Sequence, residues 1–343
     1  MITIIKPGLL TTIQDKGRWG YQAYGMPVAG VMDRYAYRIA NILAGNACDA
    51  AVVEMTLLGA TFHFDNEAWV SICGSDMQGT LNGEKIRNWS SFYIAAGSEL
   101  AFGYAACGCR SYLAVFGGVD VPLVLGSRST YTRAGVGGVD GKALQVGSTF
   151  AVGKQSAGFA GQLRMLPETF IPQYASELEV RVLLGPQDDL FTKEGIATFF
   201  NSKYTISAEA DRMGYRLEGA PIKHSGTPDI ISDALCQGAI QVPGHGMPIV
   251  MMADRQTTGG YAKLGTVIGP DLTWLAQAKP GDSVRFRQCS DEEAVAALQH
   301  EQDRYMHIEE AWVAVPEHKS MNVRPFKITI NGQCYDVQVE EIK

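Results

Sequence analysis

Between Gln241 and Tyr261 the chain reads QVPGHGMPIVMMADRQTTGGY, with acid, amide and hydroxyl side chains packed among glycines and apolar strand-formers. Ile249–Met252 has the composition of a buried strand. It opens directly into Asp254, Arg255, Gln256, Thr257, Thr258, Gly259, Gly260 and Tyr261. A strand that ends this way presents polar groups on a rigid base. Its glycines would admit positive φ and let backbone N–H groups approach a ligand. A tight turn between two strands would use Thr-Gly-Gly equally well, but Gln241 and Pro243 upstream favour a site. Gln241, Thr257, Thr258, Gly259, Gly260 and Tyr261 are the expected binding groups here. Asp254 and Gln256 are the expected catalytic ones, Asp254 as a general acid or base.

Arginine would supply the complementary charge. Arg18, Arg128, Arg212 and Arg216 occur in Gly-rich contexts rather than on solvated helix faces. A planar guanidinium donates two parallel hydrogen bonds to carboxylate or phosphate. Arg128 lies in Gly-Ser-Arg-Ser-Thr, where Ser129 and Thr130 add hydroxyls as an oxyanion site would. The competing reading is a pair with a local carboxylate such as Asp15 or Asp211. It is preferred for Arg18, and both readings stay open for Arg128 and Arg212. Asp15 itself suits an Asx-type turn. Glu54, inside the apolar run AVVEMTLLG, must meet a cation or a donor, because an unpaired buried charge is costly.

Other constellations carry less. Gly135–Lys142 (GVGGVDGK) lacks the spacing and the hydroxyl of a phosphate loop. Cys73-Gly-Ser-Asp76 has no histidine linked to it and reads as a strand end. Seven cysteines at irregular spacing, with Cys107-Gly-Cys109 the one close pair, do not make a zinc pattern. No metal held by His and Cys is expected.

The elements that must position these groups are mostly short strands. Ala68–Ile72, Phe92–Ala95, Ser111–Phe116 and Glu179–Leu184 are examples, and Asn82-Gly83 and Asn331-Gly332 are hairpin signals. Four helices are expected: Asp33–Leu43, Gln187–Phe200, a short one capped by Asp271, and one from a Ser290/Glu293 capping box to about Ala311. The length of 343 residues suits two ordinary domains, and 46% hydrophobic residues suffice for real cores. A net charge of −7 argues against nucleic-acid binding. The N-terminal MITIIKPGLL reads as a first strand rather than a signal peptide. With no apolar run of membrane-spanning length, the expected location is the cytoplasm.

Several blocks carry a family resemblance. Thr11–Arg18 (TTIQDKGR), Asp33 with Asn41–Asn46 (NILAGN), Tyr112–Thr130, Asp211–Leu217 (DRMGYRL) and the Gln241–Tyr261 run occur in order. Together they resemble the biotin-dependent carboxyltransferase-like family, also called allophanate hydrolase subunit 2. That family includes the C subunit of bacterial 5-oxoprolinase.

The resemblance implies a mainly β fold with a few helices: two cyclophilin-like β-barrel domains facing a central cleft. The small, polar stretch near residues 153–175, flanked by Pro167 and Pro172, sets the boundary between them: carboxyltransferase-like subdomains at 1–160 and 161–290, followed by a helix at 291–317 and a hairpin tail at 318–343. The resemblance also implies an ATP-dependent 5-oxoprolinase subunit, with ATP and magnesium as co-substrate, working with a B subunit and an A subunit to cleave 5-oxo-L-proline to L-glutamate. Arg128, Arg212, Gln256 and Asp254 would then be catalytic. The tail resembles the opening hairpin of a biotinyl domain, but no lysine follows a methionine, so no biotin is expected on this chain. Two alternatives remain: a carboxyltransferase acting on urea or a similar amide with a separate biotin carrier, and a non-catalytic regulator that binds a kinase-inhibitor protein.

Overall fold

The computed structural model describes residues 1–154 and 161–313 and the backbone of two strands, Arg324–Ile330 and Gln333–Val339. It divides into two units, Met1–Glu301 and Gln302–Lys343. In the second, the two strands pair antiparallel, Arg324 opposite Val339 and Ile330 opposite Gln333. This is the expected tail hairpin; its turn, 331–332, lies outside the described residues, as do the expected boundaries at 160 and 317.

The first unit is mostly β. In its N-terminal half, Ile2–Lys6, Thr61–Phe64, Glu99–Ala101 and Thr149–Val152 belong to a seven-stranded sheet. Leu10–Gln14, Val52–Thr56, Cys107–Val115, Ala68–Asp76 and Ser90–Ile94 form a five-stranded sheet. Both contribute to one apolar core that includes Ile4, Phe62, Val53, Val70 and Leu113. Asn82 and Gly83 both take positive φ, 51° and 88°, between Thr80–Leu81 and Glu84–Lys85, as the Asn-Gly signal requires.

In the C-terminal half, seven strands close into a barrel. Their order is Glu177–Leu184, Lys263–Val267, Ala239–Gln241, Ile249–Met251, Gly214–Glu218, Lys203–Ile206 and Ser283–Gln288. The last strand returns parallel to the first, with Glu177 opposite Ser283. Alternation sets the faces: Val284 and Phe286 point inward, Arg285 and Arg287 outward. Val180, Tyr204, Val250, Leu264 and Phe286 fill the barrel, and Met32 of the other half joins the same cluster.

Helix α1 (Arg34–Ala44) has the predicted ends: Asp33 accepts from Ala36 N, and Gly45 closes it at φ 76°. The expected Gln187–Phe200 helix is instead a 3-10 turn, Asp188–Leu190, followed by α2 (Lys193–Asn201). Thr192 caps α2 by accepting from Gly195 N, and extended Phe191 bridges to His224, which separates the two pieces. Helix α3 (Leu272–Gln277) follows Asp271, but the Asp271 side chain does not cap it. Its carboxylate accepts instead from Arg181 N, Nε and Nη2. Helix α4 spans Asp291–Val313, with Ser290 accepting from Glu293 N. The Glu293 carboxylate pairs with Arg287 rather than completing the box.

Asp33 also lies at the contact between the halves, where Gln277 Nε2 donates to its Oδ2 at 2.8 Å. Burial pushes its carboxyl up to about 6 from 3.8, offset in part by the Gln277 bond and the helix N–H groups. An acid with a raised folded-state pKa binds its proton more tightly when folded. Its contribution therefore improves as pH falls from about 6 toward 4. Urea unfolding at pH 7, 6 and 5 is expected to show wild type gaining stability relative to Asp33→Asn as pH falls, by about 1 kcal/mol over this window. A pH-independent difference would refute this.

Candidate functional site

The seam between the halves is polar and buried. Arg212, in the turn before Gly214–Glu218, donates from Nε and Nη2 to the two Asp254 oxygens at 3.0 and 2.8 Å. Its Nη1 donates to Glu54 Oε1, and Nη2 also donates to Gly30 O at 2.5 Å. Glu54 Oε2 accepts from Met32 N at 2.9 Å, so the buried acid finds both the cation and the donor expected of it. Arg110 crosses the same seam to Tyr215 Oη at 2.7 Å and Ala276 O at 2.5 Å. Gln277 Oε1 accepts from Cys109 N and Arg110 N, at 3.0 and 2.9 Å. Burial holds the Asp254 carboxyl above its ordinary range, against the opposing pull of Arg212.

The other predicted residues fall into separate groups. Arg128 is partly exposed, and its Nη2 donates to Asp120 at 2.8 Å. The Arg128 N–H and the hydroxyls of Ser127 and Ser129 all donate to the Asp15 carboxylate, which also accepts from Gly17 N in the expected Asx turn. The Thr130 hydroxyl donates to Ile13 O. These hydroxyls are therefore engaged within the protein. So is the Gly135–Lys142 loop, where Gly138 N and Gly141 N donate to Arg128 O and Gly137 O. Arg18 is fully buried and donates to Ser129 O, while desolvation pulls its pKa down. Cys73 is fully buried, and burial pushes its thiol up. Arg133 and Asp211 form an exposed ion pair.

The Thr-Gly-Gly-Tyr segment forms a strand, Thr258–Tyr261, paired with Asp229–Ala234 outside the barrel. Neither Gly259 nor Gly260 takes positive φ. The requirement at Gly259 is space: a Cβ would lie 2.4 Å from Gln241 Nε2 and 2.9 Å from Leu235 Cδ1. Gln241 is buried and donates to Tyr261 O. Thr257 O accepts from Leu235 N, and Gln256 Oε1 is buried without a partner.

A pocket of about 520 Å³ opens beside this segment, lined from both halves. Trp19, Gln22 and Arg34 come from one half; Asp233, Cys236, Gln237, Arg255 and Lys263 come from the other. None of the predicted site residues lines it. Its charged groups are three cations, Arg34, Arg255 and Lys263, and one carboxylate, Asp233. Lys263 Nζ donates to Asp233 and, at 3.1 Å, to Ala234 O. Arg34 Nη2 donates to Gln237 Oε1 at 2.9 Å. Arg255 donates to backbone only, to Leu235 O at 3.1 Å and Met252 O at 3.3 Å. Burial pushes its pKa down to about 10, which leaves it charged at neutral pH. Sequence signals for these residues existed. Arg34 is a cation in the first turn of a helix, against the dipole, and Lys263 is the one charged residue of its strand, Lys263–Val267.

The chain matches the family model "Carboxyltransferase domain, subdomain A and B" over residues 24–288 and belongs to that family. It is 37% identical over 305 residues to the C subunit of 5-oxoprolinase from Escherichia coli (strain K12), covering 89% of this chain and 96% of that protein. It is 33% identical over 306 residues to the C subunit of 5-oxoprolinase from Haemophilus influenzae, again covering 89% and 96%. Among solved structures it is similar to the Kluyveromyces lactis urea amidolyase, with a TM-score of 0.85 at 29% identity. That match covers 90% of this chain and 20% of the larger one.

Two substitutions test the seam and the strand. Arg212→Ala strands two buried carboxylates and is expected to cost about 3–5 kcal/mol in urea unfolding. Arg133→Ala, at the exposed pair, is expected to cost under about 1 kcal/mol. Equal losses would show that the Arg212 cluster is not a buried brace. Gly259→Ala must displace Gln241 and Leu235 and is expected to cost about 1–3 kcal/mol by the same assay; a neutral result would show that the close approach is not required.

Proposed function

We propose that this chain is the C subunit of an ATP-dependent 5-oxoprolinase, which cleaves 5-oxo-L-proline to L-glutamate together with a B and an A subunit. The observation that carries the reading is the likeness to two 5-oxoprolinase C subunits along almost their whole length. The inter-half pocket supports it as the place where the small molecule binds. Its volume lies within the range of ~300–1,000 Å³ common for ligand sites.

A lactam carbonyl is a poor electrophile. ATP would supply a phosphoryl group to the exocyclic carbonyl oxygen. This makes the carbonyl carbon electrophilic enough for water to add and for the ring C–N bond to break, with phosphate released to solvent. In this reading the chain's own residues bind and orient the lactam. Lys263, held by Asp233 and Ala234 O, offers a fixed ammonium at the pocket wall, and Gln22, Gln237 and Thr266 offer amide and hydroxyl groups. These groups suit an anionic or amide-bearing ligand. Magnesium would arrive with the nucleotide, held mainly by its phosphates. Arg212 and Asp254 act as positioning residues at the seam. The Arg128 loop, with Ser129 and Thr130, keeps the Asp15 turn in shape.

A second reading follows from the urea amidolyase likeness: a carboxyltransferase acting on a neutral amide such as urea, with biotin on a separate carrier. The test is reconstitution. Glutamate release from 5-oxo-L-proline and ATP is expected only when the chain is combined with its cognate A and B subunits. Lys263→Met is expected to lower kcat/KM at least about tenfold. An inactive full mixture of folded, bound subunits would overturn the reading and point to urea with a biotinylated carrier.

A further inference from the structure

Arg255, like Arg18, is a buried arginine that donates only to carbonyl oxygens, but of the two it is Arg255 that lines the inter-half pocket. Arg255 is 6% exposed, yet both of its hydrogen bonds go to neutral carbonyl oxygens. Arg212, equally buried, is matched by two carboxylates. No carboxylate forms an ion pair with Arg255 among the described residues, since the adjacent Asp254 is committed to Arg212. An unmatched guanidinium is costly to bury unless something supplies the counter-charge.

The side chain lines the 520 Å³ pocket, where Arg34 approaches closely enough to lower its pKa further. Gln237, which also lines the pocket, has a buried Nε2 without an acceptor. A second cation and an orphan donor therefore converge on the same space. The single carboxylate of the pocket, Asp233, is already engaged by Lys263 and by Gln187 Nε2.

We propose that Arg255, with Arg34 and Gln237, forms a carboxylate-binding subsite of this pocket, which selects small monocarboxylates over neutral amides of the same size. A planar guanidinium approached from a desolvated wall suits a carboxylate oxygen pair. The assignment rests on the reading of the pocket as the lactam site, and it would choose 5-oxo-L-proline, which carries a carboxylate, over urea, which does not.

Cys236 gives a reporter that needs no turnover. It is exposed, lines the pocket and lies beside Arg255 in space, one residue from the Leu235 carbonyl that Arg255 holds. Its sulfur displaces iodide from iodoacetate or iodoacetamide: an S–C bond forms, the C–I bond breaks, iodide leaves, and the thiol proton goes to solvent. The two reagents differ in charge at similar size. Exposed Cys107 serves as the internal reference.

The experiment is alkylation of the full chain, quantified at each cysteine by peptide mass spectrometry. The iodoacetate-to-iodoacetamide rate ratio at Cys236 is expected to exceed that at Cys107 by about tenfold. It is expected to fall to the Cys107 value in Arg255→Gln and to be partly retained in Arg255→Lys. 5-Oxo-L-proline should slow the iodoacetate reaction at Cys236, while 2-pyrrolidinone at equal concentration should not. A wild-type ratio equal at the two cysteines would overturn the subsite whether or not the variants fold. So would equal protection by the neutral lactam, or protection by inorganic phosphate without protection by 5-oxo-L-proline. Glutamate release by the reconstituted complex without charge-selective labelling would sink the subsite alone. Charge-selective labelling without glutamate release would sink the 5-oxoprolinase reading alone.

Discussion

Arg212 reaches from the barrel half to Glu54 and Gly30 of the other half while it is clamped by Asp254 of its own. Each half has its own apolar core, and apolar contact alone is non-directional. Two such bodies could settle against one another in many ways. A guanidinium with two carboxylates and a carbonyl around it tolerates one arrangement, because any slip leaves a buried charge unmatched. Arg110 and Gln277 extend the same constraint along the seam. The pocket takes its walls from both halves, so its shape depends on this brace.

Apart from Arg255, the stretch that drew attention in the sequence sits behind the pocket rather than in it. Thr258–Tyr261 pairs with Asp229–Ala234, and Thr257 O accepts from Leu235 N. Leu235 O in turn accepts from Arg255 Nε, and Asp233 and Ala234 hold Lys263. The polar, glycine-rich run therefore fixes the wall that carries Asp233, Cys236 and Gln237, and its tight packing at Gly259 keeps that wall close to the barrel.

Local signals in the chain were readable where physics is local. Asp33 and Gly45 bracket α1, and Asn82-Gly83 makes its turn, because caps and turns depend on a few neighbouring residues. Barrel closure had no such signal: Glu177–Leu184 pairs parallel with Ser283–Gln288, about a hundred residues on. The Asp271 reading failed because a distant arginine, Arg181, claims the carboxylate that a local rule assigns to the helix end. The pocket was hidden for the same reason. Arg34, Asp233, Gln237 and Lys263 come from separate elements, and only the assembled seam brings them together. Glu54 is the instructive middle case: an acid in an apolar run announces that it has a partner, but not that the partner is Arg212 of the other half.

Charge explains why the proposed recognition of a carboxylate would have to happen inside this pocket. The chain carries a net −7, so a carboxylate gains no long-range attraction on approach, and salt screens surface fields beyond about 8 Å. Attraction must then be short-ranged and desolvated, where a single charge counts for more than it would at the surface. A buried guanidinium held only by carbonyl oxygens meets that requirement. The carbonyls fix its direction without neutralising it, whereas a carboxylate partner of its own would cancel it, as Asp254 and Glu54 do for Arg212. Two buried arginines of the same half are thus put to opposite uses by what lies opposite each: one locks the halves together, and the other is left with charge to offer.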